Sequence, residues 1–223
     1  MKRIAEPQLM NEPDQIKAYA MANFDQPHDQ FIELLLSYFP GLLNIQTGQA
    51  LDLGCGPADI TRRFANALMQ FEIQAVDAAE NMIKMATVLN LQQGLRARIT
   101  LHTAYINQLE LPLKLFDIIF SNSLLHHLDQ PQDIWRTIEQ YSQSGTRIFV
   151  MDLLRPKNKA QAAHLVQCYA ANEPDILQHD FYHSLCAAYR IDEVQQQLMQ
   201  CGLHYCQIRS VSDRHFIVYG KKP

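Results

Sequence analysis

The stretch ALDLGCGPADI, residues 50–60, decides how the rest of the chain is interpreted. Its apolar run ends in Asp52 and predicts a buried strand, Gly54 and Gly56 predict a tight turn, and Pro57 is a residue that often opens a helix. Glycines in such a turn let the backbone approach a ligand closely, and the following helix offers unpaired N–H groups. A plain strand-to-helix turn explains two glycines equally well, so neighbouring residues must separate these alternatives.

Those neighbours argue against a dinucleotide site and for an adenosine site. The dinucleotide fingerprint needs a third small residue where this chain has Asp59, so a pyrophosphate site and an NAD-linked oxidoreductase are disfavoured. The next predicted strand, in IQAVDAAENMIKMA, ends in Asp77, which is 77 − 54 = 23 positions beyond Gly54. A carboxylate at about 20 positions can accept hydrogen bonds from both hydroxyls of a ribose, although Asp77 also fits the role of a helix N-cap.

Short apolar runs alternate with helical patterns through the middle of the chain. The runs are Ala50–Leu53, Ile73–Val76, Arg98–Leu101, Phe116–Ser121 and Arg147–Asp152. Such alternation indicates βαβ units and a parallel sheet. Two later runs, Leu203–Arg209 and His215–Gly220, predict an antiparallel hairpin. We predict a single domain, divided into an N-terminal helical cap (1–47), a ligand-binding core (48–156), a helical lid (157–200) and a closing β-hairpin (201–223).

Composition limits the classes of partner and compartment. The 223 residues carry 19 Lys and Arg against 23 Asp and Glu, a net charge of −4, which disfavours a protein built to grip nucleic acid. The start, MKRIAEPQLM, does not resemble a signal peptide, and no stretch approaches the roughly 18 apolar residues of a membrane span. Five scattered cysteines without zinc-like spacing predict a reduced, cytoplasmic protein with no metal site.

Four segments, in order, resemble the successive motifs of class I S-adenosylmethionine-dependent methyltransferases. They are ALDLGCGPADI, AVDAAENMIKMA, FDIIFSNSLLHHL and TRIFVMDLLRP, and they lie between Gln49 and Pro156. The resemblance implies a Rossmann-like three-layer α/β sandwich around a seven-stranded, mostly parallel sheet with one antiparallel strand. It also implies S-adenosylmethionine as cofactor, S-adenosylhomocysteine as product, and methyl transfer by direct displacement.

The resemblance further implies a set of cofactor-binding residues. The glycine turn would pass beneath the methionine and ribose portions, Asp77 would hold the ribose hydroxyls, and the backbone at Ser121 and Asn122 would meet the amino-acid end. The sequence departs from the family after the third strand, where the acid that commonly contacts the adenine amino group is missing, so backbone or Asn107 must supply that contact. The implied residues are Asp52, Gly54, Cys55, Gly56, Asp77, Ala78, Met82, Ala104, Tyr105, Ser121 and Asn122.

Residues for the methyl acceptor are predicted from position. His126 follows the fourth strand, on the expected rim of the site, and is a candidate base, although a histidine here can equally cap or pack the next helix. Tyr19 can close over a sulfonium or can belong to the core. Asp180 and Tyr182 lie in the unusual stretch EPDILQHDFYHSL, either as substrate-recognition residues or on a solvated helix face. His179 and His183 in the same stretch lack a third metal ligand.

The sequence therefore favours an enzyme that methylates a small molecule. A homodimer is compatible with this prediction. Two alternatives stay open. The first is methylation of RNA or protein through a local patch, for which the candidate residues are Arg62, Arg63, Arg96 and Arg98. The second is a module that binds S-adenosylmethionine without turning it over.

Overall fold

Seven strands form one sheet in the computed structural model, which describes residues 1–5, 25–112 and 115–223. The strands are β1 (Gly48–Leu53), β2 (Phe71–Asp77), β3 (Ile99–Thr103), β4 (Phe116–Asn122), β5 (Ser142–Leu153), β6 (Gln207–Ser210) and β7 (His215–Lys221). Their order across the sheet is β3-β2-β1-β4-β5-β7-β6. Strands β1 to β5 pair in parallel, and β7 runs antiparallel to both of its neighbours. The predicted sheet, with its single antiparallel strand, is confirmed.

The helices of the described residues fall between and after these strands. They are α1 (Asp25–Tyr38), α2 (Asp59–Ala67), α3 (Glu80–Gln92), α4 (Gln132–Tyr141), α5 (Lys159–Tyr169), α6 (Asp175–Ala187) and α7 (Ile191–Gln200). Short 3-10 turns occupy Pro40–Asn44, Ile106–Gln108 and Leu125–His127. No helix among the described residues is both long and apolar enough to cross a membrane.

Both faces of the sheet are covered, which explains the continuous apolar strands. Ala50 and Phe120 point to the side where α1 and α2 contribute Phe31 and Phe64. The neighbouring residues of β1 and β4 point the other way, into a core that contains Trp135 of α4. Successive side chains of a strand face opposite sides, so a strand buried on both sides needs apolar residues at consecutive positions.

Three predictions of element boundaries differ from the structure. The first closing strand begins at Gln207 rather than Leu203, because the chain turns at Gly202 (φ +82°) and buries Leu203 in the core. Strand β5 begins before Arg147, because a shift of pairing register opposite Phe116 and Ile118 accommodates extra residues. The first helix that the structure describes starts at Asp25, although the Asp25-Gln-Pro sequence favours a break in the helical pattern. Residues 6–24 of the predicted cap, Tyr19 included, lie outside the described residues.

Candidate active site

The strand order places a crevice at the carboxyl ends of β1 and β4. The chain continues from β1 toward β2 and β3 on one side, whereas β4 and β5 lie on the other, and ligands of open α/β sheets bind where the order reverses in this way. A cavity of about 270 Å³ opens there. Its walls come from the loops that follow β1, β2, β3 and β4, with His28 contributed by α1.

The turn after β1 is fixed by backbone hydrogen bonds to β2. The N–H groups of Gly54 and Cys55 both donate to the carbonyl of Val76, at 2.8 and 2.9 Å. Gly54 and Gly56 have φ values of +74° and +52°, in the left-handed region that favours glycine. Ala58, where the family often has a third glycine, also has a positive φ of +62°, so this chain holds a strained alanine at the start of α2.

We expect Gly54→Ala to destabilise the fold more than Gly94→Ala. A Cβ at Gly54 would lie 2.8 Å from the side chain of Leu124, which itself lines the cavity. Gly94 has a similar φ of +70°, but no atom lies within 4 Å of an added Cβ. The Gly94→Ala variant therefore measures only the cost of placing alanine at a positive φ, which is about 1–2 kcal/mol. Urea unfolding of both variants isolates the contact with Leu124. Equal losses of stability would contradict a close packing between the turn and the β4 loop.

Two carboxyl groups, the buried Asp52 and the half-buried Asp77, line the cavity. Asp77 accepts hydrogen bonds from Gly56 N–H and Ala79 N–H, each at 2.8 Å. Burial raises the pKa of Asp77, and these two N–H groups oppose that rise. Asp52 accepts a 2.5 Å hydrogen bond from the Thr61 hydroxyl, and burial raises its pKa to about 7. The floor is thus acidic, with both side chains held in fixed positions.

His28 and Asp59 form a hydrogen-bonded pair at the start of α2. His28 Nδ1 lies 2.7 Å from Asp59 Oδ2, and Arg63 Nε donates to the same oxygen at 2.7 Å. Burial acts to raise the pKa of Asp59, but hydrogen bonds from His28 and Arg63 hold it well below its usual range. Asp59, the residue that argued against a pyrophosphate site in the sequence analysis, is therefore ionised in the structure. The sequence analysis missed His28, since nothing in the local pattern of α1 marks a residue that touches α2.

Most of the cofactor residues implied by the resemblance lie together in the wall of this cavity. Those that line it are Asp52, Gly54, Cys55, Gly56, Asp77, Ala78, Met82, Ala104, Tyr105 and Asn122. Ser121 does not, because its buried hydroxyl donates to the carbonyl of Leu53 at 2.7 Å beneath the cavity. Their cofactor role stays a prediction.

The wall behind Ala104 and Tyr105 is held by one face of α4. Asp133, Thr137 and Tyr141 are spaced four residues apart and so share that face. Asn107 donates to Asp133 at 3.0 Å, Thr137 to the carbonyl of Ile106 at 3.0 Å, and Tyr141 to that of Leu109 at 2.7 Å. Asn107 and Asp133 both line the cavity, so acceptor oxygens stand on this wall although the acid that commonly follows the third strand is missing.

The structure does not place His126 on the rim. Its side chain is 3% exposed, and its Nδ1 lies 2.7 Å from Oδ1 of Asp152, a β5 residue whose side chain is 1% exposed. The other carboxylate oxygen accepts from Leu125 N–H at 2.7 Å. The expected rim position belongs instead to His127, which lines the cavity and packs its ring 4.1 Å from that of His126.

The two lid residues predicted for substrate recognition do not line the cavity. Asp180 and Tyr182 lie on α6, where Tyr182 packs against the apolar cluster that joins α5 and α6. His179 and His183 of the same helix place their rings 4.2 Å apart. No three metal-ligating side chains come together within the described parts of the chain.

Arg3 ties this lid to the loop that contains His127. Its guanidinium stacks 4.3 Å from the ring centroid of Tyr189 and donates to the carbonyl of Ala187 at 2.6 Å. It also donates to the carbonyls of His126 and Leu128, at 3.0 and 3.2 Å. The carbonyl groups of the residues before and after His127 are thereby fixed.

These features fit an adenosine that carries a cationic sulfur better than they fit a nucleotide. An ionised carboxylate offers about four acceptor positions, so Asp77 keeps capacity for ribose hydroxyls after accepting two N–H groups. No lysine or arginine is among the described residues that line the cavity, so a pyrophosphate would lack a cationic partner there.

Comparison with known proteins finds similarity to methyltransferases. Residues 50–145 match the sequence model of a family described as a methyltransferase domain. An uncharacterized methyltransferase of Schizosaccharomyces pombe is 29% identical over 48% of this chain and 40% of its own length. The malonyl-[acyl-carrier protein] O-methyltransferase of Bacillus cereus is 32% identical over 41% of this chain and 32% of its own length. The matches thus cover less than half of either relative.

Solved structures share the fold across nearly the whole chain. The plantazolicin methyltransferase BpumL, in complex with S-adenosylhomocysteine, covers 95% of this chain and 91% of its own at 16% identity, with a TM-score of 0.74. A methyltransferase from Aquifex aeolicus covers 94% and 97% at 18% identity, with a TM-score of 0.65. Residues 50–145 thus match a methyltransferase domain, and the chain as a whole shares the fold of S-adenosylmethionine-dependent methyltransferases.

Proposed function

We propose that this protein transfers a methyl group from S-adenosylmethionine to a small-molecule acceptor. The observation that carries the proposal is the cavity at the β1–β4 switch point, where the glycine turn and the half-buried Asp77 carboxylate face the same space. The family gives the class of reaction, and the relatives' names point to small or peptide-like acceptors, namely malonyl-[acyl-carrier protein], plantazolicin and phosphoethanolamine.

The chain's own residues bind, orient and exclude water. Asp77 holds the ribose hydroxyls, the turn at Gly54 and Gly56 brings backbone against the ligand, and Met82 packs on the adenine side. When bound, S-adenosylmethionine supplies a methyl group on a sulfonium, already activated for displacement. The protein's contribution is mainly alignment of the acceptor with that methyl group, which can supply several orders of magnitude in rate. Where the acceptor must lose a proton, the His127 imidazole is in position to take it.

A small acceptor is favoured over RNA because three of the four arginines of the predicted basic patch are occupied. Arg62 donates to the carbonyl of Pro57 at 2.6 Å, and Arg63 to the carboxylate of Asp59 at 2.7 Å. Arg98 donates to the carbonyl of Ala65 at 2.8 Å. Guanidinium groups engaged in this way are poorly placed to contact phosphates. If the protein bound RNA with an affinity that falls steeply as salt is added, an RNA substrate would be favoured instead.

The proposal is tested in two steps with the pure protein. Calorimetry with S-adenosylhomocysteine first asks whether the cavity binds the product. Incubation with S-adenosylmethionine and a small-molecule cell extract then asks whether S-adenosylhomocysteine accumulates faster than without extract. Binding followed by accumulation supports a methyltransferase. Binding without accumulation supports a module that holds the cofactor, and absence of binding contradicts both.

We expect His127→Gln and His126→Gln to affect different properties. His127→Gln should lower turnover of the acceptor found in the extract by roughly 10²-fold, the lower end for general acid–base catalysis, while S-adenosylhomocysteine affinity is kept. His126→Gln should lower the unfolding midpoint, since it disrupts the buried contact with Asp152. Turnover, affinity and melting temperature of both variants check this. The prediction is contradicted if His127→Gln keeps full turnover while His126→Gln loses turnover but keeps its affinity and melting temperature. That result would identify His126 as the base.

A further inference from the structure

We infer that the methyl acceptor is a cationic amine rather than a carboxylate or a phosphate. This inference rests on the proposed function and adds to it the charge of the acceptor. It comes from the ionisable groups that line the cavity. Five of them are carboxyl groups, namely Asp52, Asp59, Asp77, Asp129 and Asp133.

The cationic side chains near the cavity do not offset these acids. The basic residues that line it, within the described part of the chain, are the imidazoles of His28 and His127. Asp59 is matched by His28 and Arg63, and Asp133 lies 3.9 Å from the guanidinium of Arg136. An anionic acceptor would therefore approach Asp77 and Asp129 without a lysine or arginine among the described lining residues to receive it, and unscreened like charges oppose binding.

The nearby arginines are already held by other groups. Arg3 donates to three backbone carbonyls, and Arg155 donates to Glu193 at 2.6 Å. Both guanidinium groups are therefore engaged by groups of the protein itself.

The half of the cavity beyond β4 suits an amine. The residues of the loop after β4 that line the cavity are Asn122, Ser123, Leu124, His127, Leu128, the exposed Asp129 and Gln130. A carboxylate accepts hydrogen bonds from an ammonium group, and a neutral imidazole accepts the proton that the ammonium must lose before its nitrogen attacks. In the transfer, the nitrogen forms one bond to the methyl carbon, the carbon–sulfur bond breaks with its electron pair going to sulfur, and one proton leaves the nitrogen.

Ligand affinities test the charge preference without knowledge of the acceptor. Sinefungin differs from S-adenosylhomocysteine in carrying an amine on a carbon that replaces the sulfur, so its ammonium points toward the acceptor half. We expect sinefungin to bind about fivefold tighter than S-adenosylhomocysteine by calorimetry. Asp129→Asn should reduce this ratio, whereas Glu110→Gln, an exposed acid outside the cavity lining, should leave it unchanged. A ratio of one or less would overturn the inference.

Methyl transfer into fractionated extract identifies the acceptor's charge directly. A small-molecule extract is separated by ion exchange into cationic, neutral and anionic pools, and each is incubated with the protein and methyl-labelled S-adenosylmethionine. Label in the cationic pool supports the inference, and label in either other pool overturns it. If S-adenosylhomocysteine binds but no pool takes up label, methyl transfer itself is contradicted and the sinefungin ratio decides the charge preference. If S-adenosylhomocysteine does not bind, the proposed function fails together with the inference.

Discussion

Replacing Asp152 with alanine is expected to cost about 3–5 kcal/mol of unfolding free energy, the range for breaking a buried ion pair by removing one partner. The carboxylate accepts hydrogen bonds from Leu125 N–H and Leu153 N–H and faces the ring of His126. Burial acts to raise the pKa of Asp152, but the charge and hydrogen bond of His126 and the Leu153 N–H lower it, so the group is ionised. Alanine leaves these three groups buried without their acceptor.

The size of the loss is measured by urea unfolding against two reference variants. Asp152→Asn keeps the volume but replaces one acceptor oxygen with an NH₂ group, so its loss should lie between wild type and alanine. Glu33→Ala removes an exposed carboxylate from α1 and should change stability little. A loss in Asp152→Ala no larger than that in Glu33→Ala would show that the pair does not hold the 125–128 loop.

The same pair explains why the sequence predicted the wrong histidine on the rim. His126 and His127 are adjacent, and local spacing gives no reason to prefer either. Their orientation is set by the 3-10 turn Leu125–His127 and by Asp152, which β5 brings beneath that turn. Contacts between residues 26 positions apart carry no periodic signal, so this assignment required the structure.

The sheet and the position of the cavity were predictable for a physical reason. Strands buried on both faces need consecutive apolar residues, and the polar residues that follow them, such as Asp77 and Asn122, emerge at one edge of a parallel sheet. The contributions of helices to the cavity were not predictable in this way. His28 reaches the site because α1 packs on α2, and Asp180 stays away from it because α6 packs on α5.

Replacing Asp77 with alanine is expected to weaken S-adenosylhomocysteine binding by about 1–3 kcal/mol, roughly 5- to 150-fold, the range for losing hydrogen bonds to a charged group. The carboxylate has two duties, because it also fixes the turn through Gly56 N–H and Ala79 N–H. A loss of affinity alone therefore does not separate ribose binding from a disordered turn. Calorimetry of Asp77→Ala beside Glu110→Gln, with circular dichroism to monitor folding, gives the total effect.

A ligand without ribose hydroxyls separates these two duties. In the wild-type protein, 2′,3′-dideoxyadenosine should compete with S-adenosylhomocysteine less well than adenosine does, since it cannot donate to the carboxylate. In Asp77→Ala that difference should disappear, because the acceptor of both hydroxyls is gone, while a merely distorted turn would weaken the two nucleosides equally and keep their ratio. A ratio that survives the substitution would place the ribose elsewhere in the cavity. Its disappearance would tie the ribose to Asp77, and with it the orientation that directs the sulfur toward the half of the cavity beyond β4.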